Sequence, residues 1–276
     1  AFIFLTGNDL QESRLTYGQL DREARAIAAT LSEYNVVGQP VLLLEPPGLR
    51  FMATLFGCFY AGAIVVPNYP PAPRETSKTS SRFLRIVEDA RPTVLVGSGK
   101  SLETAERMAP QGIPCLDLDS IAHDGEGDWT EPELSDTDVA LVQYTSGSTG
   151  SPKGVILTHG NFLTNLKTIA TATRVSEDSV GINWLPPYHD MGLTCILLPV
   201  YAGFMVAHMS PNQFIFHPFC WLEAITRYSG TISAAPNFAY DLCASRISQE
   251  QRAELNLASW EAALNGAESI RYETLN

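Results

Sequence analysis

The stretch "YTSGSTGSPKGV" (Tyr144–Val155) places glycines, hydroxyl side chains and one cation between two apolar runs. Gly147, Gly150 and Gly154 allow a tight turn and a close approach of the backbone to a ligand. Successive backbone N–H groups in such a turn can form an anion-binding nest. Lys153 adds one positive charge, and four hydroxyl side chains add donors: Thr145, Ser146, Ser148 and Thr149. These groups are suited to binding a polyphosphate. A mobile Ser/Gly linker is disfavoured, because strand-like runs flank the loop tightly.

The spacing of this loop differs from that of a Walker P-loop. Lys153 comes six positions after Gly147, Pro152 takes the place of the second glycine, and Gly154 follows the lysine. A P-loop kinase is therefore disfavoured. A second candidate is His189, which follows two prolines and Tyr188 and precedes Asp190. A lone histidine is most often a structural imidazole, so the residues alone leave its role open.

The elements that must position these groups are strands and helices in alternation. Short apolar runs, "PVLLLEP", "AIVVP", "TVLVG" and "GTISAAP", predict buried strands. "LTYGQLDREARAIAATLSEY" has helical spacing of its apolar residues, with Thr16 and Gln19 placed as a capping box. Continuous apolar strands joined by helices predict an α/β fold of mostly parallel sheets with helices on both faces.

Composition limits the kinds of partner. The 276 residues are 45% hydrophobic and 17% charged, with a net charge of -12, which argues against nucleic acid as a partner. The sequence has no apolar run of the roughly 18 residues that span a membrane. Five separated cysteines without a CxxC pair predict free thiols in a reducing, cytoplasmic compartment. An acidic stretch over residues 117–138 predicts a solvated loop and an internal boundary.

The loop in its wider context, "YTSGSTGSPKGVILTHGN", resembles the phosphate loop of the adenylate-forming superfamily, which contains acyl-CoA synthetases, adenylation domains and luciferases. The resemblance implies a large α/β domain followed by a small mobile C-terminal domain. It also implies a reaction in which a carboxylate and ATP form an acyl-adenylate and pyrophosphate, and the acyl group then passes to a second acceptor.

Four other stretches, "PPGLRFMATLFGCFYAGAIVVPNYPP", "NWLPPYHDMGL", "APNFAYDLC" and "LNGAE", are similar to the fatty acyl-AMP ligases of polyketide and nonribosomal peptide assembly lines. This resemblance implies activation of a medium- or long-chain fatty acid for transfer to an acyl carrier protein. Two alternatives stay open. One is an acyl-CoA ligase, and the other is a catalytically silent nucleotide- or acyl-binding module.

The resemblance also implies that the sequence is a piece of a longer protein. Residues 1–276 are expected to form an incomplete N-terminal AMP-binding domain with sublayers 1–160 and 161–276. The family's metal-binding glutamate, its ribose-binding aspartate, the branch-specific insertion and the small C-terminal domain are all expected beyond Asn276.

Roles for individual residues follow from the same resemblance. The β- and γ-phosphates of ATP are expected on Lys153 and on the run Thr145, Ser146, Gly147, Ser148, Thr149 and Gly150, with Thr149 closest to Mg²⁺. His189 is expected between the acyl carboxylate and the phosphate, where it orients or screens the two anions. Lys153, His189 and Thr149 are the predicted catalytic residues. The "LNGAE" segment is expected against the adenine, through Asn265, Gly266, Ala267 and Glu268.

The acyl substrate is expected to contact a set of mostly apolar residues. These are Tyr188, His189, Asp190, Met191, Gly192, Met209, Phe214, Asn237 and Phe238, with Leu193, Phe204 and Tyr240 as further candidates for a tunnel wall. Any of the apolar members can instead belong to the core.

Four basic residues recur at a spacing of four, four and three residues, which puts them on one helix face: Arg74, Lys78, Arg82 and Arg85. This stripe is expected either to steer an acidic carrier protein toward the enzyme or to be an ordinary solvated face that pairs with Glu75, Glu88 and Asp89.

Overall fold

The computed structural model describes residues 1–71, 78–121, 129–145 and 152–275. These residues form two compact units, each with its own six-stranded sheet. The first unit contains residues 1–17, the segment Pro47–Leu49 and the chain from Leu166 onward, and the second contains residues 18–46 and 50–165. The described parts of the acidic stretch, residues 117–121 and 129–138, lie inside the second unit.

Strands and helices alternate along the chain as the sequence predicts. The strands are β1 (Phe2–Thr6), β2 (Gln11–Leu15), β3 (Pro40–Leu43), β4 (Ile64–Pro67), β5 (Val94–Gly97), β6 (Cys115–Asp117), β7 (Val139–Thr145), β8 (Lys153–Thr158), β9 (Val180–Asn183), β10 (Met205–Met209), β11 (Ile232–Ala235) and β12 (Ala262–Asn265). The helices are α1 (Tyr17–Ser32), α2 (Leu49–Tyr60), α3 (Lys78–Ala90), α4 (Gly99–Met108), α5 (His159–Thr173), α6 (Asp190–Ala202), α7 (Pro211–Phe216), α8 (Phe219–Tyr228), α9 (Asn237–Arg246), α10 (Gln249–Ala253) and α11 (Tyr272–Leu275). Within the described ranges, none of these helices combines the length and the apolar character that crossing a membrane requires.

The sheet of the second unit has the strand order β6-β5-β3-β4-β7-β8. Its neighbouring strands are parallel from β6 to β7, and β8 runs antiparallel to β7. Leu42 and Leu95 of the central strands are fully buried, and Phe83 of α3 and Leu102 of α4 belong to the same core. Aliphatic strands of this kind are stable only when helices cover the sheet.

The sheet of the first unit has the order β12-β11-β9-β10-β1-β2, and all its pairs are parallel except β1 with β2. Helices cover both of its faces. Gly181 lies in register with Val206 and Ile232, so these residues share the face toward α6. On the other face, Trp221 Nε1 of α8 donates to Ser233 Oγ at 2.9 Å. The predicted α/β fold with mostly parallel sheets is confirmed.

Aromatic side chains fix the end of β9, where the chain turns toward α6. The rings of Trp184 and Phe214 stack with a centroid distance of 3.9 Å, and Trp221 meets Phe214 edge to face at 5.5 Å. All three side chains are buried. Because Trp184 follows β9 directly, this packing fixes the start of the segment that carries Tyr188 and His189.

Candidate active site

The predicted phosphate loop connects two antiparallel strands of the second unit. β7 and β8 pair so that Thr145 lies opposite Lys153, and Thr145 Oγ1 donates to the Lys153 carbonyl at 3.5 Å. Both residues are exposed. The predicted contacts of Ser146, Gly147, Ser148, Thr149 and Gly150 fall outside the described residues and stay predictions. The hairpin therefore presents one hydroxyl and one ammonium group side by side, at the two ends of the loop.

Arg82 of α3 holds the end of β7 from inside the second unit. Its guanidinium donates to Asn68 Oδ1 at 2.6 Å and to the Tyr144 carbonyl at 2.7 Å. The Tyr144 hydroxyl donates to Asp89 Oδ2 at 2.5 Å. Burial, together with the Asp89 carboxylate, raises the pKa of Tyr144, so the phenol stays a donor. We call these four residues the Arg82 clamp, and they fix the residue that precedes Thr145.

The Arg82 clamp bears on the interpretation of the basic stripe. Arg82 is half-buried, and its guanidinium is bound to groups of its own unit. Arg85 is exposed, whereas Arg74 and the side chain of Lys78 lie outside what the structure describes. The helical spacing does place Arg82 on one face of α3, but that side chain serves the interior of the unit.

We expect Arg82→Gln to destabilise the protein by about 1.5–3 kcal/mol, because a charged donor is removed from two acceptors at once. The free energy of unfolding, measured with denaturant, tests this expectation. Arg22→Gln, an exposed arginine in α1 of the same unit, is the control and should change the free energy of unfolding by less than about 0.5 kcal/mol. Equal effects of the two substitutions would contradict a special role for Arg82.

The predicted residues around His189 form a turn of the first unit between β9 and α6. The His189 N–H donates to the Pro186 carbonyl at 3.1 Å, and His189 is the residue that precedes the first turn of α6. Its imidazole is exposed and lies 5.9 Å, between centroids, from the Tyr188 ring. Asp190 Oδ1 accepts from the Met191 N–H at 2.7 Å, so this carboxylate satisfies one N–H group in the first turn of α6 and complements the helix dipole. The turn leaves the imidazole accessible to a ligand.

Asn237, at the start of α9, organises the segment that follows β12. This fully buried side chain donates from Nδ2 to the Ser269 carbonyl at 2.8 Å. Its Oδ1 accepts from Asn265 Nδ2 and from the Arg271 N–H, both at 3.0 Å. Asn237 is predicted to contact substrate, and the structure shows it as the residue that ties β12 to the following turn.

The segment predicted to contact adenine, residues 265–268, has a side-chain oxygen without a hydrogen-bond donor close to α6. Asn265 Oδ1 is buried and has no hydrogen-bond partner among the described residues. A Cβ on Gly266 would come to 3.6 Å from Met191 Sδ, so the turn and the start of α6 are in contact. Ala267 has a left-handed φ of 65°, and Glu268 is exposed. A buried acceptor without a donor is costly, which favours a ligand that carries an N–H group at this point.

An apolar cavity of about 230 Å³ lies between α6 and the sheet of the first unit. One face of the helix lines it with Met191, Thr194, Cys195, Leu198 and Pro199. The facing strands contribute Gly181, Asn183, Val206, Ala234 and Leu264, while Ile169 and Phe204 also line the space. We call this space the α6 cavity.

The polar side chains of the α6 cavity are already hydrogen-bonded. Thr194 Oγ1 donates to the Asp190 carbonyl at 2.9 Å. Asn183 Oδ1 accepts from the Leu185 N–H, and Asn183 Nδ2 lies 3.0 Å from His208 Nδ1. Burial lowers the pKa of His208 to about 3, so its neutral imidazole accepts this hydrogen bond. The cavity is therefore suited to a hydrocarbon.

The structure places the predicted acyl-contacting residues in three environments. Met191 and Phe204 line the α6 cavity. Met209 lies an odd number of residues from Val206 and so faces the opposite side of the sheet, with Phe214 in the core there. The remaining candidates have other surroundings. Gly192 packs against the Pro186 carbonyl, and Leu193 is buried. The exposed ring of Phe238 contacts the Trp184 ring, and the Tyr240 hydroxyl donates to the Leu264 carbonyl.

Sequence reasoning missed several residues that line the cavity. Thr194, Cys195 and Leu198 follow Met191 at three, four and seven residues, and this helical stripe was a readable signal. Gly181 and Val206 gave no such signal, because the side of the sheet on which α6 lies is a matter of tertiary structure.

The two units thus offer complementary chemistry. The second unit carries a cation and hydroxyls on a hairpin, which suit a polyphosphate. The first unit carries an apolar cavity, an accessible imidazole and a free acceptor, which suit a ligand with a hydrocarbon part and a part with N–H groups.

Comparisons with known proteins agree with this chemistry. The family model for AMP-binding enzymes matches residues 1–276. The chain is 39% identical over 282 residues to the medium-chain fatty acid–acyl-carrier-protein ligase JamA of Moorena producens, covering 100% of this chain and 48% of that protein. It is 34% identical over 283 residues to a long-chain fatty acid–AMP ligase of Mycolicibacterium smegmatis, covering 99% of this chain and 44% of that protein. The chain spans about half the length of these relatives.

Among solved structures, the fold is similar to a fatty acyl-adenylate ligase from Legionella pneumophila in complex with acyl adenylate and pyrophosphate. The TM-score is 0.91 and the identity 42%, covering 100% of this chain and 48% of that one. A separate structure of a fatty acid AMP ligase from the same organism gives a TM-score of 0.93, again at 42% identity, with 100% and 48% covered.

Proposed function

This chain belongs to the AMP-binding enzyme family, and on that premise we propose that the complete protein activates a fatty acid with ATP. The products are an acyl-adenylate and pyrophosphate, and the acyl group is destined for an acyl carrier protein. The observation that carries the proposal is the α6 cavity, because its Met191 end adjoins the turn at Asn265 and Gly266. In an acyl-adenylate the hydrocarbon chain and the adenine ring belong to one molecule, joined through a phosphate and a ribose.

The first step is attack of a carboxylate oxygen on the α-phosphorus of ATP. A new P–O bond forms, the bond from the α-phosphorus to the bridging oxygen breaks, and pyrophosphate leaves with the electron pair. Both reactants are anionic, so catalysis consists mainly of positioning and charge compensation. Lys153 compensates charge on the leaving pyrophosphate, and groups of the loop donate hydrogen bonds to it. The Thr145 hydroxyl gives up its long 3.5 Å contact with the Lys153 carbonyl and donates to a phosphate oxygen instead.

The first unit positions the acyl and adenine parts. The exposed imidazole of His189 stands between the carboxylate and the phosphate and screens the two anions from each other. It need not remove a proton, because a fatty acid with a pKa near that of other carboxyl groups is ionised at neutral pH. Asn265 Oδ1 accepts a hydrogen bond from the amino group of adenine, which gives this buried oxygen its missing donor.

Magnesium fits this site as an ion carried mainly by the nucleotide. The described residues contain no group of three or more His, Cys, Asp or Glu side chains that could hold a metal. Mg²⁺ commonly binds through substrate phosphates, water and only one or two protein groups. Thr149, in the loop, would be the protein group closest to it. When bound, the ion neutralises phosphate oxygens.

The second step passes the acyl group to a thiol. The thiolate of a carrier protein attacks the acyl carbonyl, a thioester forms, and AMP leaves. The similarity to the Moorena producens ligase, which its name connects to a carrier protein, supports this acceptor. Coenzyme A is the competing acceptor.

We expect the complete protein to form acyl-AMP from ATP and a fatty acid, to transfer the acyl group to a carrier protein and to make little acyl-CoA. Pyrophosphate release and chromatographic analysis of the acyl products, with carrier protein or CoA in parallel reactions, measure this. Efficient acyl-CoA synthesis would favour an acyl-CoA ligase instead. Nucleotide binding without pyrophosphate release would identify a silent binding module.

A further inference from the structure

The two ends of the α6 cavity differ in their surroundings. Met191 lies in the first turn of α6, beside the Asn265–Gly266 turn, where the acyl-adenylate linkage belongs under the proposed function. Pro199 lies in the last turns of α6, and Phe204 follows shortly before β10. Phe204 is only 2% exposed. The cavity therefore runs from the reacting end toward a buried phenyl ring.

Packing and hydrogen bonds hold this phenyl ring in place. The Tyr17 hydroxyl donates to the Pro199 carbonyl at 2.8 Å and also to the Phe204 carbonyl. A Cβ added to Gly181 would lie 3.3 Å from Phe204 Cε2 and 3.0 Å from Val206 Cγ2. The ring thus lies over Gly181 at the beginning of β9, with its backbone tied to the end of α6. A tied, buried ring makes a firm end wall.

The helix gives the depth of the cavity. Met191 and Pro199 are eight residues apart, which in an α-helix corresponds to about 12 Å. A fully extended chain advances about 3.5 Å for every three backbone bonds, so about ten bonds fit into this depth.

The volume of the cavity gives a similar chain length by an independent route. An apolar cavity of about 150 Å³ is known to take up benzene, which has six carbon atoms. The α6 cavity, at about 230 Å³, scales to about nine carbon atoms.

We infer that the α6 cavity restricts the enzyme to medium-chain fatty acids of about 8–10 carbon atoms, with Phe204 as the residue that sets the limit. The inference rests on the proposed function. It also predicts an unsubstituted chain, because the hydroxyl of Thr194 and the amide of Asn183 already have partners. Burial raises the pKa of the Cys195 thiol to about 12, so this wall group carries no charge.

The test is the value of kcat/KM for acyl-AMP formation with saturated acids from hexanoate to octadecanoate, using the complete protein. We expect a rise of about fourfold per added CH₂ up to the limit, the factor that corresponds to about 0.8 kcal/mol per buried CH₂. The maximum should fall at octanoate to decanoate, and hexadecanoate should be used at least about tenfold less well.

Two variants shift the limit in opposite directions. Phe204→Ala removes the six carbon atoms of the ring and, on the same volume scaling, should move the maximum to acids up to about six carbons longer. Cys195→Phe places a ring in the cavity one helical turn after Met191 and should move the maximum of kcat/KM to shorter acids. Phe51→Ala is the matched control, because Phe51 is also fully buried but lies in α2 of the second unit. It should lower stability without moving the maximum.

The outcomes separate the inference from the proposed function. If no acid supports acyl-AMP formation, the proposed function fails and the cavity is not an acyl site of such an enzyme. If acyl-AMP forms equally well from decanoate and hexadecanoate, or if Phe204→Ala leaves the maximum unchanged, the inference alone is overturned. Should Phe204→Ala not fold, the parent profile and the profile of Cys195→Phe decide.

Discussion

Replacing Lys153 by alanine in the complete protein is expected to lower kcat/KM for ATP by about 10- to 150-fold, the factor for a charge-assisted contact of about 1.5–3 kcal/mol. Lys153 is exposed at the first position of β8, directly opposite Thr145. Its ammonium is the one cation of the predicted loop, and the leaving pyrophosphate carries most of the charge to be compensated. The KM for the fatty acid should change little, because the α6 cavity lies in the other unit.

Two further variants make this expectation specific. Lys153→Arg keeps the positive charge on a larger, planar group. It should recover only part of the lost rate, because arginine and lysine bind phosphate with different geometry. Lys167→Ala removes an exposed lysine from α5 and serves as the control for a change of net charge alone. An unchanged kcat/KM for ATP in Lys153→Ala would remove Lys153 from the site.

Much of the fold could be predicted, because local sequence determines it. "PVLLLEP" and "GTISAAP" form β3 and β11, since short aliphatic runs between helices need burial on both faces. The pairing of β1 with β10 could not be predicted in the same way. These strands are about two hundred residues apart, and no local pattern states which sheet a strand joins. Residues 1–17 consequently belong to the first unit, with the chain from Leu166 onward.

The candidate site could be predicted from the sequence to about the same extent as the fold. The hairpin at Thr145 and Lys153 follows from two strand-like runs around a short polar loop, and the pairing of β7 with β8 agrees with it. For Met209, by contrast, sequence gives hydrophobicity and alternation but not which side of the sheet α6 covers. The same limit applies to Arg82. Its helical spacing can be recognised in the sequence, but its acceptors on Asn68 and Tyr144, 14 and 62 residues away, are brought to it by tertiary structure.

The second large effect is expected at Gly192, in the first turn of α6. A Cβ at this position would lie 2.0 Å from the Pro186 carbonyl oxygen, 2.6 Å from the Pro186 carbonyl carbon and 3.1 Å from the Leu185 carbonyl oxygen. All three atoms are backbone, so no side-chain rotation relieves the overlap. Gly192→Ala is therefore expected to destabilise the protein by about 3 kcal/mol, the upper part of the usual range for overpacking.

The same substitution should reduce acyl-AMP formation more than stability alone explains. The Pro186 carbonyl accepts the His189 N–H, so pushing it away from α6 moves the imidazole as well as Met191 at the reacting end of the cavity. Gly18→Ala in the first turn of α1 is the matched control. Its Cβ would meet only the flexible end of Arg22, at 3.8 Å, and alanine favours a helix by up to about 1 kcal/mol over glycine. The free energy of unfolding and the rate of acyl-AMP formation should therefore both fall in Gly192→Ala. In Gly18→Ala the rate should hold, and the free energy of unfolding should stay the same or rise by up to about 1 kcal/mol. Equal stability and activity of the two variants would mean that the close contact of α6 with Pro186 does not position His189.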